Sequence, residues 1–126
     1  MVNDKKSFEK SFEVRGYVVP YDLPSENVWF LRPNELDTEE QRKKKIKLAK
    51  LVRAKRTLAT YYLYSLGISA TNSVILVPKD RIKDIDETIR KVNEIYRELN
   101  ETLVKQGFDG VGYPIIKKIP IVHSQF

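Results

Sequence analysis

The sequence predicts an α+β domain in which a small, mainly antiparallel sheet carries two long helices on one face. Two segments have the apolar spacing of helices, and shorter segments between them alternate or form the apolar runs typical of strands. A length of 126 residues suits a single domain spanning the whole chain. The predicted order is strand, strand, helix, strand, helix, strand, which is ferredoxin-like in the broad sense when the crossovers are right-handed.

The first part of the chain predicts a polar start followed by a β-hairpin. Residues 1–7 are polar, and we expect them to be frayed. Apolar and polar residues alternate over residues 12–19, which predicts a half-buried strand. Pro20 and Pro24 bracket residues 21–23, so we expect the strand to end there. Residues 27–32 form a second short alternating segment, and the turn-forming residues 24–26 before it favour an antiparallel pairing of the two strands.

A long first helix is predicted next. It begins at Asp37 or Thr38, where the sequence allows a capping box, and continues to Leu66, after which Gly67 is expected to take a left-handed cap conformation. Its roughly 28 residues would span about 40 Å. The first turns contain almost no apolar residue, so we expect that end of the helix to project beyond the core.

The second half of the chain predicts a buried strand and a clearly amphipathic helix. The apolar run at residues 73–77 follows a polar link at residues 69–72 and indicates a central strand buried on both faces. From residue 82 to 103 apolar residues recur at steps of three and four, which predicts a helix capped by Asp80 or Asp84 and terminated by Gly107.

The last segment, residues 113–122, predicts an edge strand because Pro114 and Pro120 cannot donate backbone hydrogen bonds. An apolar edge favours pairing with another chain, so we predict a homodimer to which this segment contributes. The alternative is that the segment closes the sheet of its own chain.

Charge is concentrated in one stretch, residues 41–79, which contains ten basic residues and no acidic one. The remaining 13 of the 23 basic residues face 17 acidic residues, so the net charge of +6 is local to this stretch. A local excess of this kind indicates a face for an anionic partner, and a nucleic-acid backbone is the first candidate. The predicted contact residues are Arg42, Lys43, Lys44, Lys45, Lys47, Lys50, Arg53, Lys55 and Arg56.

Aromatic residues follow the basic run. Tyr61, Tyr62 and Tyr64 could stack on unpaired bases beside the cations, or could simply pack against the core or an interface. Tyr62 falls on the predicted core face, which favours packing for that residue. Trp29 and Tyr17 in the predicted hairpin leave the same two interpretations open.

Several function classes lack the residues they need. The chain has no cysteine and a single histidine, His123, which we expect to be a solvent-facing tail residue. Paired-histidine and thiolate metal sites within one chain are thereby excluded, and no metal or cofactor is expected. No apolar run is long enough for a membrane span. The polar residues 3–6 do not form the apolar core of a secretion signal, so we expect a cytoplasmic protein. The balance of Lys, Glu, Ile and Tyr against Cys and Met is typical of heat-adapted proteins.

Four short motifs carry a resemblance to a known family. They are GYVVPYDLP at residues 16–24, the basic helix, the Leu66–Gly67 turn and SVILVP at residues 73–78. This layout resembles the small CRISPR adaptation subunit and the related C-terminal domain of a bacterial transcriptional repressor family. The resemblance implies a ferredoxin-like dimer that binds nucleic acid, with Asp22 as a metal-facing carboxylate. The segment at residues 25–40 is longer than the corresponding loop of the family.

Three functional interpretations therefore stay open. The first, which we favour, is a non-enzymatic protein that binds nucleic acid. The second is a metal-dependent nuclease built on Asp22, whose alternative role is that of a turn residue. The third is a scaffold protein whose basic helix docks an acidic partner.

Overall fold

The structure, a computed structural model, describes residues 12–71 and 73–124, with side chains for residues 13–71 and 73–122. The expected fraying of residues 1–7 and the side chain of His123 lie outside what is described. The elements are strands β1 (Phe12–Asp22), β2 (Ile68–Thr71), β3 (Val74–Pro78), β4 (Ile115–Ile116) and β5 (Ile119–Ser124), and helices α1 (Glu39–Tyr64) and α2 (Ile82–Lys105).

The strands form one antiparallel sheet that confirms the predicted α+β class. The order is β2-β3-β1, and β4 and β5 both pair with the free side of β1. Between β4 and β5 the Lys117 N–H still donates to the Pro20 carbonyl at 3.0 Å, so the two strands form one interrupted edge. With the helices included, the order is two interleaved β-α-β units, as in ferredoxin-like folds.

The helices cover one face of the sheet, and the other face is open as far as residues 12–71 and 73–124 are concerned. Val19 in β1 and its cross-strand partner Ile75 in β3 are both fully buried, in one cluster with the buried residues of α1 and α2. The neighbouring residues point the opposite way, and Leu76 is 40% exposed. We define the open sheet face by five apolar residues that are cross-strand neighbours: Val18, Ile68, Leu76, Ile119 and Ile121.

Three strand predictions are wrong. Residues 27–32 contain a 3-10 turn (Trp29–Leu31) because local bonds close it, from Leu31 N–H to the Val28 carbonyl at 3.1 Å and from Arg32 N–H to the Trp29 carbonyl at 3.2 Å. The polar link at residues 69–72 contains most of strand β2, an exposed edge strand that forms by pairing with β3. Strand β3 is buried on one face only, because none of the residues that the structure describes covers the open sheet face.

The start of α1 confirms the predicted capping box. The Gln41 N–H donates to the Thr38 hydroxyl at 3.1 Å, and the Thr38 N–H donates to the Gln41 side-chain oxygen at 2.9 Å. At the other end, the predicted left-handed Gly67 is wrong: α1 ends at Tyr64, and Gly67 does not have a positive φ. Glycine is required at residue 67 because a Cβ would collide with the Leu76 carbonyl oxygen.

Of the two predicted caps of α2, only the one at its C-terminal end is correct. Gly107 has a φ of 89° and terminates the helix as predicted. Neither Asp80 nor Asp84 caps the start, since a 3-10 turn (Lys79–Arg81) leads directly into the helix. Arg81 instead pairs with Asp84 at 3.0 Å and caps the end of α1, donating to the carbonyl oxygens of residues 65 and 66 at 2.9 and 2.5 Å.

Candidate functional site

The nine predicted contact residues of α1 divide into cations that hold the fold and cations that face solvent. Lys45 pairs with Asp37 at 2.9 Å, and their side chains are only 15% and 9% exposed. Arg56 donates from Nε to the Pro24 carbonyl at 3.1 Å. Arg42 reaches the Asn34 carbonyl at 3.3 Å but is itself exposed. Lys45 and Arg56 are therefore committed to contacts within the chain.

Arg56 has a further structural role beneath the helix. Burial raises the pKa of Tyr21, as does a hydrogen bond with Tyr64, and the positive charge of Arg56 acts in the opposite direction. Burial also raises the pKa of Tyr96, again opposed by Arg56. The Tyr96 hydroxyl is buried and has no hydrogen-bond partner within the part of the chain that the structure describes. The positive charge of Arg56 thus acts on both phenols and partly offsets the effect of their burial.

Four of the remaining cations surround a groove between α1 and α2. The groove has a volume of about 710 Å³, and its floor is apolar. Most of the lining comes from α1, and the C-terminal end of α2 with the residue after it contributes two uncharged polar side chains. We call this the cationic groove: Lys43, Lys44, Lys47, Lys50, Leu48, Leu51, Ala54, Thr102, Gln106 and the carboxylate Glu40.

The groove exists because α1 begins well before it reaches the core. Its first buried residue is Leu48, so residues 39–47 extend along the surface beside the end of α2, as the sequence predicted. Lys44 lies over the ring of Phe108 at 5.6 Å, which fixes one side of the groove. Of the other predicted contact residues, Arg53 is exposed and Lys55 is half-buried, and neither lines the groove.

The tyrosines lie further along the same helix and differ in exposure. Tyr61 is 69% exposed and Tyr64 is 44% exposed, whereas Tyr62 is half-buried. The rings of Tyr61 and Tyr62 meet edge to face with centroids 6.2 Å apart. On the other side of Tyr62, the ammonium of Lys91 in α2 lies 5.5 Å from the ring centroid. Packing thus accounts for Tyr62 and leaves Tyr61 open to a partner.

The two aromatic residues before α1 also differ. Trp29 is 73% exposed, with its ring edge-on to that of Phe30 at 5.7 Å, and Phe30 in turn stacks on Phe108. Tyr17 is half-buried and packs against the core, so core packing explains it.

Asp22 lies in a separate cleft, at the end of β1. The cleft has a volume of about 620 Å³ and brings Asp22 together with Glu26 and Arg56. Asp22 is exposed and Glu26 is half-buried. Within the described residues, no group of three or more His, Cys, Asp or Glu side chains is close enough together to hold a metal ion. The cleft therefore offers two carboxylates and one cation.

Sequence reasoning missed the residues contributed by α2 and its C-terminal cap: Lys91, Thr102 and Gln106. They carry no motif, and they become part of a surface only because α2 packs antiparallel to α1. The predicted order of strands and helices places the two helices side by side, and this placement is the signal in the sequence that points to these residues.

Neither α1 nor α2, and no other helix in the described ranges 12–71 and 73–124, is long and apolar enough to cross a bilayer. Comparison of the chain with protein-family models, with curated proteins and with solved structures finds no match.

Proposed function

We propose that this protein binds nucleic acid through the cationic groove and does not catalyse a reaction on it. The observation that supports the proposal is the convergence of four lysines on one groove that contains a single carboxylate, Glu40, among its described lining residues. Like charges three and four residues apart destabilise a helix. A polyanion in the groove would relieve that repulsion and release its own counterions.

The spacing of the lysines suits a phosphate backbone. Lys43 and Lys50 are seven residues apart, so they are about 10 Å apart along the helix axis. That length matches about three nucleotides of one strand at 3.4 Å each. Side-chain contacts to phosphate carry no base information, so we expect binding that does not depend on sequence.

A salt titration tests the proposal. The affinity for duplex DNA should fall with salt, with a contribution of about −0.9 to the log–log slope for each phosphate neutralised. Replacing Lys43, Lys44, Lys47 and Lys50 with glutamine should flatten the slope by about 3 to 4. The matched control removes the same charge from exposed residues outside the groove, with Lys83, Arg90, Lys105 and Lys117 changed to glutamine. Equal slopes for the two variants would place the site elsewhere.

The nuclease interpretation rests on the cleft that holds Asp22 and Glu26 beside Arg56. We expect no cleavage of DNA or RNA in the presence of magnesium. Robust magnesium-dependent cleavage that disappears in Asp22→Asn would replace the proposal, because a divalent cation is what such chemistry uses to offset phosphate charge. Failure of the wild-type chain to bind any polynucleotide at low salt would instead favour the scaffold interpretation, with an acidic protein in the groove.

We also propose a homodimer that uses the open sheet face. The C-terminal strand β5 closes the sheet of its own chain, yet it presents Ile119 and Ile121 on that face, with Val18 of β1 between Ile119 and Leu76. Ile68 at the same face is 76% exposed. A contiguous apolar face of this kind is typical of an interface, and two-fold symmetry is the commonest way to cover it.

Light scattering of the full chain at micromolar concentration tests the dimer. The double variant Leu76→Lys, Ile119→Lys should be monomeric, because it places charge on the face without touching the core. A monomeric wild-type chain would refute the dimer, and a dimeric double variant would move the interface to another surface.

The family resemblance supports both proposals, since it implies a nucleic-acid-binding dimer. The antiparallel sheet with two helices is broadly compatible with that fold. A nucleic-acid partner would also suit the cytoplasmic location that the sequence predicts.

A further inference from the structure

We infer that Tyr61 extends the cationic groove into a track for single-stranded nucleic acid, in which its ring stacks on an unpaired base. The inference rests on the proposed function and deepens it, because it names the class of nucleic acid. Its starting point is the exposure of Tyr61, which at 69% is far more than packing against its own chain requires.

The groove and Tyr61 lie on the same side of α1. Lys43, Lys50 and Tyr61 are separated by seven and eleven residues, which are about two and three full helical turns. Side chains at such intervals project in nearly the same direction. The lysines and the tyrosine therefore form one continuous surface.

The line of contact between α1 and α2, which we call the seam, connects the cationic groove to the tyrosines. Thr102 of α2 and Gln106, directly after it, line the groove, while Lys91 of the same helix lies over Tyr62. Because α2 runs back along α1, the seam continues from the groove to the tyrosines and ends at a further cation. Lys91 also contacts Glu87 at 3.4 Å, so its ammonium is shared between a carboxylate and a ring.

The length of the track suits a short single strand. Eighteen residues separate Lys43 from Tyr61, which is about 27 Å along the helix axis. At 3.4 Å per nucleotide this corresponds to about eight nucleotides of a stacked strand. Known single-strand binding surfaces cover roughly 4 to 16 nucleotides and combine a cationic groove with aromatic platforms.

The tyrosine is also held in a defined orientation. Tyr62 is fixed by the core below it and by Lys91, and its ring meets that of Tyr61 edge to face. An edge-to-face contact limits the rotation of the Tyr61 ring and leaves a ring face for a ligand. A restrained ring loses less freedom when a base stacks on it.

Selectivity for single strands follows from the geometry of the duplex. The faces of paired bases are already covered by their neighbours in the stack, so a duplex can offer this surface its phosphates only. An unpaired base can leave its neighbours and lie on the tyrosine. The lysines should then serve both kinds of nucleic acid, and Tyr61 should serve single strands alone.

The test compares Tyr61→Ala with wild type on two probes, a fluorescent oligothymidine of about twelve nucleotides and a duplex hairpin of equal phosphate number. We expect Tyr61→Ala to weaken oligothymidine binding by roughly 5- to 150-fold and to leave duplex binding and the salt slope unchanged. Tyr61→Phe should retain the wild-type affinity, because the ring does the stacking. The control is Tyr113→Ala, which removes a tyrosine of 58% exposure that lies beside the outer face of α2.

The outcomes separate the inference from the proposed function. If the lysine variant flattens the salt slope but Tyr61→Ala binds oligothymidine as wild type does, the groove stands and the track is refuted. Equal losses on oligothymidine and on the duplex would refute stacking, and so would a matching loss in Tyr113→Ala. If neither probe binds to the wild-type chain at low salt, the proposed function itself fails.

Discussion

The two helices are similar in length but use their charges in opposite ways. Helix α1 has 26 residues and α2 has 24, and both contribute fully buried side chains to the core. On α2 the exposed charges pair within the helix, as Arg97 does with Glu101 at 2.6 Å and Lys91 with Glu87 at 3.4 Å. On α1 there is no acidic residue after Glu40, so beyond its first two turns the charged neighbours of each lysine along the helix are other cations.

This difference in charge indicates that the two helices have different roles. Helix α2 mixes cations with carboxylates, several of which pair with each other, and its apolar residues form a clean inward stripe, as expected of an element whose role is to support the sheet. The lysines of α1 lower the stability of the helix that carries them. Residues that oppose stability without helping the fold are typical of a functional surface.

The largest effects should come from the core, where we expect the two helices to be equivalent. Leu63 in α1 and Leu103 in α2 are both fully buried. Each change to alanine should lower the free energy of unfolding by about 3 kcal/mol, since it removes buried methyl groups and leaves a cavity. Urea unfolding of the two variants measures this. A cost below about 1 kcal/mol at Leu63 alone would show that α1 is only loosely attached, and the comparison of the helices would fail.

Smaller and opposite effects are expected for single exposed charges. Lys47→Gln should raise the free energy of unfolding by a few tenths of a kcal/mol, because it removes a cation that lies four residues from Lys43 and three from Lys50. Arg97→Gln should lower stability, because it breaks the ion pairs with Glu94 and Glu101. Urea unfolding at low and at high salt checks both, and both differences should shrink as salt screens the charges. Effects of the same sign would remove the distinction between the helices.

The parts of the fold that the sequence predicted are those with a strong local pattern. The steps of three and four in α2 and the Thr38–Gln41 capping box each depend on residues close in sequence. The wrong predictions concern segments whose conformation depends on residues distant in sequence. Gly67 has no left-handed conformation and is glycine because strand β3 passes against it. Strand β2 extends into the segment predicted to be a polar link because β3 offers it hydrogen bonds.

The candidate site could be predicted in charge but not in shape. Nine cations were identified from composition, and the sequence contains nothing to show that Lys45 would pair with Asp37 or that Arg56 would reach the Pro24 carbonyl. Those contacts depend on the path of the loop before α1. The exposure of Tyr61 likewise depends on the rotation of α1 about its axis relative to the core, which the weak apolar pattern of that helix leaves undefined.

The smallest expected effect concerns Lys45. It belongs to α1, yet it pairs with a carboxylate, as several cations of α2 do. The hydrogen bond from the Asn34 N–H to Asp37, at 2.8 Å, is the main reason why the pKa of Asp37 lies below its usual range, and the ion pair with Lys45 adds to the effect. A carboxylate with a lowered pKa stabilises the folded state above the pKa of the unfolded chain, about 4, and this contribution is lost as the pH falls through the folded-state pKa.

Asp37→Asn should therefore lower the melting temperature slightly between pH 5 and 7, and the difference from wild type should vanish as the pH falls below about 4. Lys45→Gln should lower the melting temperature in the same pH range while leaving the salt slope of polynucleotide binding unchanged, because its ammonium is already neutralised. Thermal melts from pH 2 to 7, together with the salt titration, measure both. A flatter salt slope in Lys45→Gln would assign Lys45 to the binding surface, and the division of α1 into cations that hold the fold and cations that bind a partner would then be wrong.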